Sequence, residues 1–170
     1  MIKIYNDVLI ENEIIFLENE CNSFVPDESP TKFDITSKKK NYYFRKFIPE
    51  NKIFSFYNKI LDDIYGKKSI KHHINGIWIN KINSDSNKND KYHHDISDLT
   101  ILIFLNENFE GGEFEYIDEN KQIIKVQPKK NTAIVMDSVL YHRVLPVTYG
   151  ERFSLVCFFQ KDVKQNKSLI

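Results

Sequence analysis

The run Tyr92-His93-His94-Asp95 places an imidazole and a carboxylate at alternate positions. In an extended chain alternate side chains share a face, so His93 and Asp95 can converge on one ion while His94 turns away. Alone, a His-x-Asp pair is equally compatible with a surface turn. His142 changes its weight, because it lies in the apolar run LYHRVLPV, which reads as a distant strand able to return beside the first. Two imidazoles and one carboxylate fill one face of an octahedral ion and leave positions open, an arrangement suited to non-haem iron(II). Zinc would favour closed tetrahedral nitrogen and sulfur ligation or a His-rich site. The cysteines, Cys21 and Cys157, lack the Cys-x-x-Cys spacing of zinc or redox work and read as buried thiols.

Past a turn at Thr148-Tyr149-Gly150, Arg152 and Ser154 share strand parity on what reads as the neighbouring strand of a hairpin. A guanidinium beside a metal site, flanked by a hydroxyl, is a receptor for a carboxylate through a bidentate, charge-assisted pair. The alternative for Arg152 is an ordinary ion pair with Glu151 or another acid.

These residues need a scaffold that brings separated strands together. Ile2 to Ile10 alternates like a short strand, and Glu11 to Ser23 carries Ile14, Ile15, Leu17 and Cys21 at helical spacing. Pro26 to Lys40, with its Lys38-Lys39-Lys40 run, reads as a solvated loop. Tyr42 to Ile48 is β-prone. Beyond Pro49, the stripe Ile53, Phe54, Phe56, Tyr57, Ile60, Leu61 and Ile64 predicts a second helix closed by Gly66. From Ser69 onward the pattern is strands: Ile70 to Ile82, Thr100 to Leu105, Glu113 to Ile117, Gln122 to Val126, Thr132 to Met136, Leu140 to Val147 and Arg152 to Gln160. Ser84 to Lys91 is a polar interruption expected at the rim of the site. The expectation is an α+β chain of one domain, with residues 1–68 as helical support and 69–160 as a jelly-roll core.

Composition narrows the partners. Lys plus Arg and Asp plus Glu are equal at 24 each, so no net field draws the 170-residue chain to nucleic acid or an anionic membrane. Hydrophobic residues make up 41%, yet no apolar run approaches the ~18 residues of a membrane span. The N-terminus lacks a signal-peptide core, so a cytoplasmic protein is expected. The Lys, Asn and Ile usage fits an AT-rich coding source such as a virus, a parasite or a low-GC bacterium.

With these residues assembled, the segment from about Trp78 to Gln160 resembles the 2-oxoglutarate and Fe(II)-dependent oxygenase superfamily, in particular its prolyl 4-hydroxylase-like branch. The matching run is His93-x-Asp95, then LTILIFLNENFEGGEFEY, then Pro128, then LYHRVLPVTYGERFSLVCFF. The resemblance implies a double-stranded β-helix, iron(II) on His93, Asp95 and His142, and the far carboxylate of 2-oxoglutarate on Arg152, with Ser154 as a second contact. Thr100, sharing parity with Leu102 and Phe104, is a candidate for the same pocket. It further implies O2 as oxidant, release of succinate and CO2, ascorbate as an accessory cofactor to consider, and a prolyl residue of a peptide or protein as substrate. Halogenating relatives carry a small residue where Asp95 stands, so hydroxylation is favoured.

The chain departs from that branch at the co-substrate tyrosines. The stretch before His93 offers none until Tyr92, and Phe104 stands where some prolyl hydroxylases have tyrosine; Asn80 and Lys81 are candidates for a replacement donor. Trp78 and Tyr92 read either as substrate-mouth or packing residues, Arg143 as turned away from the site, and Gly111-Gly112 as a tight bend requiring positive φ. Two other readings stay open: an oxygenase of another residue or a small metabolite, and a non-catalytic cupin-type metal-binding module.

Overall fold

The computed structural model describes residues 1–25, 44–49, 54–66, 72–84, 91–137 and 139–161. The loop expected over Pro26 to Lys40 and residues 85–90 of the expected rim loop lie outside them. The elements are β1 (Ile2–Asn6), α1 (Glu11–Asn22), β2 (Phe44–Phe47), α2 (Phe56–Tyr65), β3 (His72–Asn83), β4 (Leu99–Phe104), β5 (Glu110–Gly111), β6 (Phe114–Ile117), β7 (Ile123–Val126), β8 (Thr132–Asp137), β9 (His142–Val144), β10 (Val147–Tyr149) and β11 (Glu151–Lys161). Both expected helices form, the second starting at Phe56 with Phe54 of the expected stripe ahead of it. In α1, Glu11 and Glu13 occupy the first turn, where the helix dipole favours acids, and Glu13 accepts the Ile10 N–H at 3.0 Å. Gly66 ends α2 at φ 73°, a conformation that costs glycine little.

A six-stranded sheet in the order β1-β8-β4-β11-β3-β2 forms the main layer, and three-stranded β7-β6-β9 and two-stranded β10-β5 sheets accompany it. Every strand pairing described is antiparallel. The two edges of the main sheet, β1 and β2, come from the first 68 residues, so that segment supplies strands as well as helical support.

Strand parity sorts the core into two layers. Ile77, Ile79, Ile101, Ile103, Val135, Leu155 and Cys157 project to one side and pack with Leu17 of α1 and Tyr57 and Ile60 of α2. Leu102, Phe104, Ile134, Met136 and Val156 project to the other and pack with Phe114 and Leu140. The first layer is closed by helices. The second opens into a cavity, and its even-numbered register is what brings chemistry-bearing residues to one place.

The single strand expected over Leu140 to Val147 divides into β9 and β10. Pro146 has no N–H for a ladder, and Leu145 N–H instead donates to Glu113 O at 2.8 Å, so the chain changes partner sheet there.

Candidate metal centre and co-substrate pocket

His93, Asp95 and His142 come together with their potential ligand atoms all within 4.8 Å of one another. The alternation that sets His93 and Asp95 on one face holds, and His93 forms an isolated bridge with His142. His93 Nδ1 lies 2.9 Å from Lys91 O, and His142 Nδ1 lies 3.0 Å from Leu140 O. A carbonyl can only accept, so each Nδ1 carries a proton, and in the neutral ring Nε2 is the nitrogen left to ligate. Those Nε2 atoms lie 4.0 Å and 3.8 Å from the Asp95 carboxylate. His142 is buried, and the ring of Phe114 stacks on it at 5.2 Å and 22°.

Thr100 lines the same cavity as Arg152 and Ser154. Its hydroxyl donates to Asp95 Oδ2 at 2.7 Å and lies 2.9 Å from Ser97 Oγ. A hydroxyl has one hydrogen, so while Thr100 orients Asp95 it has none to give a second carboxylate. It lines the cavity as a support for the acid.

A cavity of ≈ 700 Å³ opens on the triad and is also lined by Arg45, Asn80, Ile82, Leu102, Met136, Val156 and Phe158. Arg152 and Ser154 reach it from the start of β11, at 1% and 0% exposure. Arg152 Nη1 lies 3.4 Å from Ser154 Oγ, and the guanidinium sits 5.1 Å from the Phe104 ring centroid. Phe104 thus gives Arg152 a π face where a tyrosine would add a hydroxyl. Of the candidate replacement donors, Asn80 faces the cavity, whereas Lys81 pairs with Glu151 and lies over Phe153 on the far side of the sheet. The Glu151 partner considered for Arg152 therefore belongs to Lys81.

A search against protein-family models matches residues 64–160 to the 2OG-Fe(II) oxygenase superfamily. The chain belongs to that superfamily. A PKHD-type hydroxylase of Hyphomonas neptunium is 36% identical over 70 residues, which cover 40% of this chain and 31% of the hydroxylase, less than a third of its length. A prolyl-4-hydroxylase of Pseudomonas putida has a similar fold, with TM-score 0.66 at 16% identity over 95% of this chain and 93% of that one. A prolyl hydroxylase of Trichoplax adhaerens, in complex with a hypoxia inducible factor oxygen degradation domain peptide fragment, has TM-score 0.69 at 14% identity over 95% and 84%.

The outer face of the site carries a polar network centred on Glu115. Arg143 does turn away from the cavity, as alternation predicts, but it meets Glu115: Nε and Nη2 both lie 2.7 Å from Glu115 Oε2. Tyr92 donates to the same oxygen at 3.1 Å, and Lys125 lies 3.4 Å from Oε1. Burial raises the Glu115 carboxyl, yet these donors outweigh it and hold the group below its ordinary value. Tyr92 is accordingly a packing and hydrogen-bonding residue of the outer face. Trp78 packs edge-on against the cavity-lining Phe158 at 5.2 Å, on the side of β3 that also carries Asn80 and Ile82. Glu115 is the one acid within β6, but Glu113 just ahead of it keeps the sequence alone from singling it out.

Proposed function

We propose that the oxygenase hydroxylates a prolyl residue of a peptide or protein, using iron(II), O2 and 2-oxoglutarate and releasing succinate and CO2. The observation that carries the reading is the shared cavity: two Nε2 lone pairs and a carboxylate converge at one wall, and the buried Arg152 guanidinium stands in the same space. The donor set suits iron(II) with open coordination positions. A sealed cation suits a small dianion such as 2-oxoglutarate. The shape of the core and the structural relatives support reading the main and smaller sheets as a double-stranded β-helix, and residues 1–170 as one oxygenase domain.

In this reading His93 and His142 bind iron through Nε2 and Asp95 through its carboxylate, kept in place by Thr100. Arg152 binds the far carboxylate of 2-oxoglutarate, with Ser154 as a neighbouring donor, and so fixes which end of the co-substrate faces the metal. Iron(II) with O2 supplies the oxidising chemistry that couples co-substrate decarboxylation to C–H hydroxylation. Leu102, Met136, Val156 and Phe158 keep water from the reacting groups. The prolyl preference rests on the resemblance of the C-terminal half to prolyl hydroxylases.

Two measurements test this. Anaerobic addition of Fe(II) and 2-oxoglutarate together is expected to give a visible absorption band that neither gives alone, and its absence favours a non-catalytic metal-binding module. A panel of proline-containing peptides, other peptides and small metabolites, read by succinate release and a product mass increase, then identifies the substrate. Turnover confined to metabolites overturns the prolyl assignment and leaves the oxygenase reading standing.

A further inference from the structure

His93 is the most exposed member of the triad, at 47% of its side chain, and stands outside any strand. Its N–H donates to His142 O at 2.9 Å, and His142 N–H donates to His93 O at 3.0 Å. These two backbone bonds make a single bridge and not a continuous ladder. On the side away from the metal, however, Tyr92 is held. Its hydroxyl donates to Glu115 Oε2, its ring lies beneath the Arg143 guanidinium at 4.4 Å, and it stacks on Tyr141 at 5.5 Å and 21°.

Glu115 is 3% exposed, and it accepts from Tyr92 beside His93 and from Arg143 beside His142. Its own strand, β6, pairs with β9 in the register Glu115↔Arg143 and Tyr116↔His142. One carboxylate therefore ties together the neighbours of both imidazole ligands, from the opposite face of the chain.

We infer that Glu115 is a positioning residue for the metal centre: with Tyr92 and Arg143 it holds the His93 segment against β9, so that the two imidazoles meet at the spacing an ion requires. The inference rests on the iron-triad reading above. It separates from a general stabilising role because it acts on metal affinity and ligand geometry in molecules that are folded.

Co(II), whose visible spectrum reports coordination geometry, is the probe, titrated into the folded protein with the metal-free melting temperature measured in parallel. Glu115→Ala is expected to weaken Co(II) binding ~10-fold to 100-fold, as loss of a partner that orients a ligand does, and to alter the spectrum. Glu115→Gln, whose amide oxygen still accepts from Tyr92 and Arg143, is expected to recover much of the affinity. Tyr92→Phe, which removes one hydrogen bond, is expected to cost ~2-fold to 10-fold. Parent affinity and spectrum in folded Glu115→Ala, even with a lowered melting temperature, overturn the inference. If Glu115→Ala does not fold, Tyr92→Phe decides: parent affinity and spectrum overturn the inference, and weakened binding supports it. Asp95→Ala separates the two readings. Co(II) binding unchanged in Asp95→Ala removes the triad and the inference together, whereas loss there with unchanged Glu115 variants removes the inference alone.

Discussion

A guanidinium sealed from water gains most from a partner of opposite charge that is sealed with it. Arg152 is 1% exposed within the cavity, and if it holds the co-substrate as proposed, truncating it leaves that carboxylate without its counter-charge. Arg152→Ala is expected to weaken 2-oxoglutarate binding by ~2 to 5 kcal/mol, which is ~30-fold to several thousand-fold. Arg152→Lys keeps the charge without the fork and should fall between. Ser154→Ala removes one bond to a charged group, ~1.5 to 3 kcal/mol at most. Anaerobic titration of the Fe(II) protein measures all of these, and parent-like binding by Arg152→Ala would remove the co-substrate assignment. Thr100→Val separates the other hydroxyl: with its hydrogen bond on Asp95, its loss should weaken metal binding ~10-fold and leave the apparent affinity for 2-oxoglutarate nearly unchanged. The reverse pattern would return Thr100 to the co-substrate.

Among the connecting elements, the Gly111-Gly112 bend is tied more closely to the site than a turn requires. Gly112 adopts φ +69°, and a Cβ built there would lie 2.9 Å from Arg152 Cδ and 3.0 Å from Val147 Cγ2. Gly112→Ala is therefore expected to lose ~1 to 3 kcal/mol of stability from its backbone conformation and to impair 2-oxoglutarate binding by displacing Arg152. Chemical denaturation and co-substrate titration read the two effects, and an unchanged co-substrate affinity would show that the bend is structural only. Glu115 ties its elements through a charge, so its contribution depends on pH. Its folded pKa is depressed, which makes the contribution complete above its ordinary 4.5 and lost as pH falls through the lower folded value. As pH falls from 7 to below 4.5, the parent should lose more stability than Glu115→Gln in matched urea denaturations. Equal losses would mean that the Glu115 charge adds nothing.

Much of this element order was legible in advance. Alternation around Leu102, Ile134 and Val156 and helical spacing at Ile60 and Leu61 are local signals, and the parity that joins His93 to Asp95 is local as well. Partner choice was not. Pro146 marks a break in the strand, but that the chain beyond it joins β5 depends on a segment far back in the sequence. Likewise Arg143 could be turned outward by alternation, but finding Glu115 required the register of β6 on β9. Thr100 was placed on the correct wall, and only the fold showed that its hydrogen goes to Asp95.

For the molecule as a whole, the buried thiol offers a reporter. Cys157 lies in the layer between sheet and helices with Tyr57 Oη 3.6 Å away, and burial pushes its thiol up to about 12. With Cys21 replaced by serine, Cys157 should resist thiol reagents in the native state and react at a rate set by opening of the main sheet. Labelling at the rate of an exposed thiol would contradict this packing.

The place of β11 in the main sheet also bears on biosynthesis. It lies between β4 and β3, and Ser154 pairs with Phe104 on one side and Asn80 on the other. On a ribosome, β3 and β4 emerge long before the strand that joins them. Until then each exposes an unpaired edge that can pair with another chain, and Arg152 and Ser154 are not yet in place. A nascent chain stalled just after Gly150 should therefore bind chaperones and remain protease-sensitive, and release of the β11 segment should bring protection and co-substrate binding in one step.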